Sequence, residues 1–334
     1  MEFDLIEAIR ARANLRRDDV ALGIGDDAAL LEVPADRQLV ACTDTMVAGV
    51  HFLAGTAPED LGWKSLAVNL SDLAAMGAEP GWALLALTLP EADGGFVDRF
   101  ADGFAELAAA HRIALVGGDT TQGPLSITVT ALGTVPRGVA MTRGAARPGH
   151  AVFVTGTLGD AAGALELLRD RGPGTPDPEK LVESSRQTGL LARLNRPEAR
   201  VSAGQALRGL ASACIDVSDG LLADLGHICT ASGVAAEVDV DALPVSAALR
   251  AEFDAATCRG FALAGGDDYE LCFTAPPARG EEIATVFARM GLLVSGIGRI
   301  VAGGGVRVLD PDGNSIATPL SGWEHFSTAR TGVG

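Results

Sequence analysis

The segment PEDLGWKSLAVNLSDLAAMGA, residues 58 to 78, constrains the fold more than any other part of the chain. Pro58 suits a first helical turn, and Gly77 and Pro80 supply a stop, which predicts a long helix over residues 58 to 77. Leu66, Ala67, Val68, Leu70, Leu73 and Ala74 make most of its circumference apolar, so the helix is mostly buried. One polar stripe interrupts it: Ser65, Asn69 and Asp72 fall at i, i+4 and i+7 on a single face. A solvated stripe would carry Glu, Lys or Arg, which are better helix formers. Ser, Asn and Asp suit ligands or hydrogen-bond partners instead, and Asp72 is expected to face a site.

Strand-period runs follow at residues 29–33, 38–44, 82–89, 113–118, 125–135 and 151–156, before Asp216, and at 269–274. Helical patterns at the N-terminus and near 94–111, 198–211 and 219–232 interleave with them. This interleaving predicts an α/β (α+β) fold with mixed sheets. A chain of 334 residues exceeds one ordinary core, and ARPGH at 146–150 precedes a fresh strand, so two domains are expected, 1–148 and 149–334. The proline-rich RGPGTPDPEK, residues 171–180, reads as a surface loop of the second domain.

No apolar run approaches the roughly 18 residues of a bilayer span, and the N-terminus mixes acids and bases where a signal peptide would not. A cytoplasmic protein is expected. Five cysteines without a C-x-x-C pair predict reduced core thiols rather than disulfides or a zinc site. A formal charge of −17, two lysines and no basic block argue against nucleic acid or an acidic membrane as partner, and for cations.

Aspartates recur in one setting: Asp26 and Asp27 in GIGDDAALL, then TDT (43–45), NLSD (69–72), GGDTT (117–121), DVSDG (216–220) and GGDD (265–268). Each reads as a strand end or glycine turn beside apolar sequence. Any one alone is ordinary turn chemistry. Six together point to convergence, and convergent carboxylates in a partly desolvated cleft demand cations. Oxygen donors with open positions select Mg²⁺, which would neutralise nucleotide phosphates. Neither lysine lies in a G-x-x-x-x-G-K-[ST] loop, and protein-kinase signatures are missing. TGTLGDAAGALELL, residues 155–168, could receive an anion at a helix N-terminus, but close strand-to-helix packing is the stronger reading of its glycines. His111, His150 and His227 read as structural or exposed, whereas His51, seven residues after Asp44, is placed near the site. Ser71 and Ser218 lack a nucleophile elbow, so no covalent nucleophile is expected.

The ordered motifs GIGDDAALL, TDTMVAGVHF, AVNLSDLAAMGAEP, GGDTTQGPLS, MTRGAARPG, DVSDGLLADLGHI and GGDDYELCFT resemble the bacterial thiamine-monophosphate kinase family over nearly the whole chain. The resemblance implies the two-domain aminoimidazole ribonucleotide synthetase-like fold, with N-terminal sheets joining in a homodimer. It implies ATP-dependent phosphorylation of thiamine monophosphate to thiamine diphosphate, the last step in making that cofactor, aided by several Mg²⁺ ions. By position, Asp27, Thr43, Asp44, Asp72, Asp119, Asp216 and Asp219 resemble Mg²⁺ ligands, with Cys42 serving through its backbone carbonyl only. Gly118, Asp119, Arg143 and Ser218 resemble ATP contacts, and His51, Asp267 and Trp323 substrate contacts. The family's GGEDYEL reads GGDDYEL here, one methylene shorter at Asp267.

The expected mechanism is in-line transfer, with Arg143 assisting the metals in screening two anions. Two alternatives stand beside it. One is a superfold relative acting on a ribonucleotide; the other is a non-catalytic divalent-ion or nucleotide-binding protein.

Overall fold

The computed structural model describes residues 2–13, 15–169 and 185–317; the 171–180 loop and Trp323 lie outside them. Along the chain, α1 (Glu2–Arg12) precedes β1 (Val20–Leu22), β2 (Leu30–Leu31), β3 (Arg37–Val47), α2 (Pro58–Ala75) and β4 (Glu79–Leu89). Next come α3 (Gly94–Ala110), β5 (Ala114–Gln122), β6 (Ser126–Pro136), β7 (Ala151–Thr155), α4 (Asp160–Arg169), α5 (Ser185–Asn195) and α6 (Val201–Leu207). The remainder is β8 (Ala213–Asp216), α7 (Leu221–Ser232), β9 (Ala235–Asp239), α8 (Ala247–Glu252), α9 (Ala255–Ala264), β10 (Leu271–Ala275), α10 (Gly280–Met290), β11 (Val294–Val301), β12 (Gly305–Leu309) and β13 (Ser315–Ile316). Among the described residues no helix is long and apolar enough to cross a membrane.

The chain divides into two compact units, Met1–Met141 with Leu168–Leu210, and Thr142–Leu167 with Ala211–Gly334. In the first, a four-stranded sheet runs β3-β6-β4-β5, with β4 and β5 parallel and the other pairs antiparallel. The predicted buried helix is α2, which packs on the sheet and against α3 and α6. Glycines let the helices touch backbone to backbone. A Cβ added to Gly62 would fall 2.0 Å from the Phe100 carbonyl oxygen, one on Gly103 1.8 Å from that of Glu59, and one on Gly204 1.9 Å from that of Ala74.

The second unit holds a seven-stranded sheet, β13-β12-β9-β11-β7-β10-β8, in which only β12 and β9 pair in parallel. Phe273 stacks with Phe153 and Phe287 at centroid separations of 5.3 and 6.1 Å to anchor its core. The predicted mixed α/β architecture is observed.

Some boundaries differ from the periodic pattern, for tertiary reasons. The run at 29–33 contributes only the two residues of β2. The run at 113–118 continues to Gln122 because β4 pairs with it in register, from Leu84 opposite Gly117 to Leu89 opposite Gln122. Asp119 therefore lies inside a strand, and so does Asp44 in β3, rather than at a turn. The YELCFT strand begins only at Leu271, since Tyr269 adopts φ 50°, outside the extended region.

Candidate active site

In the first unit, β3 alternates its side chains between the two faces of the sheet. Cys42 and Asp44 turn toward α2: the Cys42 thiol donates to the Asn69 carbonyl at 3.3 Å, and burial, reinforced by the carboxylates of Asp72 and Asp44, pushes it far above the usual thiol range. Thr43 points the other way; its hydroxyl donates to the Val129 carbonyl at 3.1 Å and accepts from Thr130 at 3.0 Å. Of the α2 stripe, Ser65 and Asn69 are buried and bond carbonyls of their own helix, at Gly62 and Ser65, while Asp72 is half-buried toward Cys42.

Asp26 and Asp27 are both exposed, and the Asp27 amide donates to Asp26 Oδ1 at 2.8 Å, so Asp26 closes the turn. His51 Nδ1 accepts from the Val47 amide at 2.9 Å, so the neutral ring carries its proton on Nε2. Gly118 lies at φ 153°, where a Cβ would meet the Leu85 carbonyl oxygen at 1.8 Å; only glycine lets β5 approach β4 there. Asp119 follows, exposed and opposite Ala86.

The sheet order separates two residues that the sequence motifs group together. Asp44 belongs to one edge strand, β3, and Asp119 to the other, β5. Three strand spacings of about 4.8 Å put their backbones roughly 14 Å apart. Register also aligns Asp119 with Ala86, Thr128 and Thr45, on the face opposite Asp44. Among the described residues no three His, Cys, Asp or Glu side chains form a metal-sized cluster.

In the second unit, two turns lie against each other. Ser218 and Asp219 precede α7, Asp216 ends β8 at 5% exposure, and Asp267 belongs to the turn before β10. The Asp267 amide donates to the Ser218 carbonyl at 2.9 Å, and the Tyr269 amide to that of Val217 at 2.8 Å. Asp267 adopts φ 67° and accepts from the Tyr269 hydroxyl at 2.9 Å. The Arg143 carbonyl instead accepts from Ser232, at the far end of α7. The Arg143 backbone thus lies by the C-terminal end of this 12-residue helix, whereas Ser218 precedes its N-terminus.

Three residues of this unit that the sequence motifs do not single out hold its turns in place. Asp224 is buried and accepts from the amides of Ser218, Asp219 and Gly220. Burial, then the neighbouring Asp216 and Asp219, push its carboxyl up to about 7. Asp268 holds the Gly159 amide before α4, and Tyr269 orients Asp267. A signal was present in DVSDGLLAD, where Asp224 sits in the first turn of a helix behind an unsatisfied N-terminus.

Two known domains match the chain. The AIR synthase related protein N-terminal domain matches residues 25–135, and the corresponding C-terminal domain matches residues 147–310. Thiamine-monophosphate kinase of Salmonella typhimurium is 45% identical over 327 residues, 98% of each chain. A crystal structure of thiamine-monophosphate kinase from Stenotrophomonas maltophilia K279a is 52% identical and superposes with a TM-score of 0.87, covering 94% of this chain and 98% of that one. Another solved relative, complexed with AMPPCP and TMP, is 35% identical with a TM-score of 0.76 over 97% of each chain. The chain belongs to the thiamine-monophosphate kinase family of enzymes.

Proposed function

We propose that this chain transfers the γ-phosphoryl group of ATP to the phosphate of thiamine monophosphate, giving ADP and thiamine diphosphate. The observation that carries this reading is the full-length likeness to a relative complexed with AMPPCP and TMP. In this reading, Asp27, Thr43, Asp44, Asp72, Asp119, Asp216 and Asp219 hold Mg²⁺, with Cys42 contributing only its backbone carbonyl. Hard carboxylate oxygens fit that ion. Bound there, Mg²⁺ supplies neutralisation of phosphate charge.

The chain's own groups do the rest. His51 presents a donor at Nε2, Arg143 a permanent charge, and Ser218 and Gly118 contact the nucleotide. Asp267, fixed by Tyr269, faces the thiamine moiety. A phosphate monoester with a second pKa of about 6 is largely dianionic at neutral pH, so the attacking oxygen needs no general base.

The enzyme works as a cytoplasmic homodimer in this proposal. Support comes from the exposed sheet face, where Leu39, Ala41, Thr43, Thr45, Leu84 and Ala86 carry no charge, and from the separation of Asp44 and Asp119 within one chain.

The test is ADP formation from Mg²⁺-ATP with thiamine monophosphate, unphosphorylated thiamine or no acceptor, with the product identified by mass. Turnover with the monophosphate alone supports the reading. A folded, ATP-binding protein that yields no thiamine diphosphate would redirect it to ribonucleotide acceptors.

A further inference from the structure

The Asp224 carboxylate is 3% exposed, and its hydrogen-bond partners are backbone amides. One oxygen, Oδ2, accepts from three consecutive amides: Ser218 at 3.0 Å, Asp219 at 3.1 Å and Gly220 at 3.2 Å. A carboxylate in this setting trades hydration for backbone donors, and it dictates where those three amides sit. The turn it holds is pressed against the Gly265–Asp267 turn. A Cβ on Gly266 would lie 2.7 Å from the Ser218 carbonyl oxygen, and one on Gly220, at φ 115°, would lie 2.9 Å from the carbonyl of Ala264. The Ser218 carbonyl meanwhile accepts from the Asp267 amide at 2.9 Å. No slack separates the two turns.

We propose that Asp224 is a positioning residue: it fixes the Ser218–Gly220 turn and, through the Ser218 carbonyl, the backbone of Asp267, so that nucleotide-side and acceptor-side contacts are held as one piece. This rests on the kinase reading above. Asp224 touches neither reactant in this arrangement. Its effect reaches both because the two turns share a hydrogen bond and leave no room for independent movement. Removing the carboxylate strands three amide donors at once and lets both turns relax.

The experiment measures KM for ATP and for thiamine monophosphate separately, with Mg²⁺-AMPPCP affinity by calorimetry as a readout that needs no turnover. Asp224→Ala should raise both KM values and weaken AMPPCP binding by roughly tenfold, whereas Asp224→Asn, which retains an oxygen acceptor of the same shape, should stay within about threefold of wild type. Asp254→Ala removes the α9 cap, which accepts from the Ala256 and Thr257 amides, and should lower the melting temperature with both KM values unmoved. If Asp224→Ala does not fold, Asp224→Glu keeps the charge but lengthens the arm, and it should raise both KM values.

Unchanged KM values in folded Asp224→Ala or Asp224→Glu would overturn the proposal, and a rise in only one would overturn the link between the turns. Absence of turnover in wild type is a different failure, that of the kinase reading itself.

Discussion

Both oxygens of the Asp268 carboxylate accept from the Gly159 amide, at 3.0 and 2.9 Å. Asp268 is 1% exposed and sits just before the N-terminus of α4, where the helix dipole favours an anion. The glycine loop thus takes its anion from its own chain. Gly159, at φ 85° with the Ala262 amide nitrogen 2.8 Å from a would-be Cβ, has no room for a side chain either. Asp268→Ala should lower the unfolding free energy by about 1–3 kcal/mol, because it leaves a buried donor unpaired, while Asp267→Asn should stay within about 0.5 kcal/mol. Urea titration of both variants checks this; equal losses would refute the division of labour between adjacent aspartates.

Asp26 and Asp27 divide their work in a similar way. Asp26 Oδ1 already accepts from the Asp27 amide, a bond that asparagine can reproduce. Asp27→Asn should therefore reduce Mg²⁺-dependent turnover by roughly 10²-fold or more, with Asp26→Asn close to wild type. The reverse pattern in steady-state assays would place the metal contact on Asp26.

Asp44 and Asp119 on opposite sheet edges yield a mixing experiment. If a second copy supplies Asp119 to the site built on Asp44 and Asp72, then Asp72→Asn and Asp119→Asn are each inactive alone. Dissociated and reassociated together, they should regain part of the wild-type rate, since each mixed dimer carries one intact site. No recovery in verified heterodimers would show that each chain completes its own site.

Helices α2 and α3 cross backbone to backbone, with the Phe100 carbonyl oxygen 2.0 Å from where a Gly62 Cβ would stand. Backbone cannot yield as a side chain can. Gly62→Ala should cost about 1–3 kcal/mol of stability through overpacking, despite alanine's better helix propensity. A gain in melting temperature would contradict the observed helix spacing.

All five cysteines are free, and four are buried. Burial pushes the Cys229 thiol up to about 11, and Cys214 and Cys272 well above the ordinary range for the same reason. Cys42 is raised by burial first and then by Asp72 and Asp44. At pH 8 the native protein should carry little thiolate and resist iodoacetamide, with all five sites labelled in urea. Rapid native labelling of Cys42, read by mass, would count against its contact with the α2 backbone.

Much of the molecule was legible in the residues themselves. The burial of α2, the mixed strands and helices, the close-packed glycines after β7 and the turn-forming role of Asp26 all follow from local spacing. The site was legible only as a set of motifs. Periodicity marked Asp72 as inward-facing, yet it grouped Ser65 and Asn69 with it, although Ser65 Oγ and Asn69 Nδ2 bond carbonyls of their own helix and Asn69 Oδ1 is buried without a hydrogen-bond partner among the described residues. Nothing in GGDDYEL says which aspartate is the buried brace, because Asp268 is chosen by the Gly159 amide, which reaches it through a tertiary contact.

The sequence by itself determined local conformation and chemistry: which segments are apolar at a helix or strand period, and which carboxylates could ask for Mg²⁺. Those properties depend on neighbours a few residues away. Only the tertiary structure decided that β6 and β4 come between β3 and β5, that Thr43 turns from the face that Asp44 shares with Asp72, and that β5 runs on past Asp119. Strand order and register are set by long-range hydrogen bonding and packing, which no local spacing encodes.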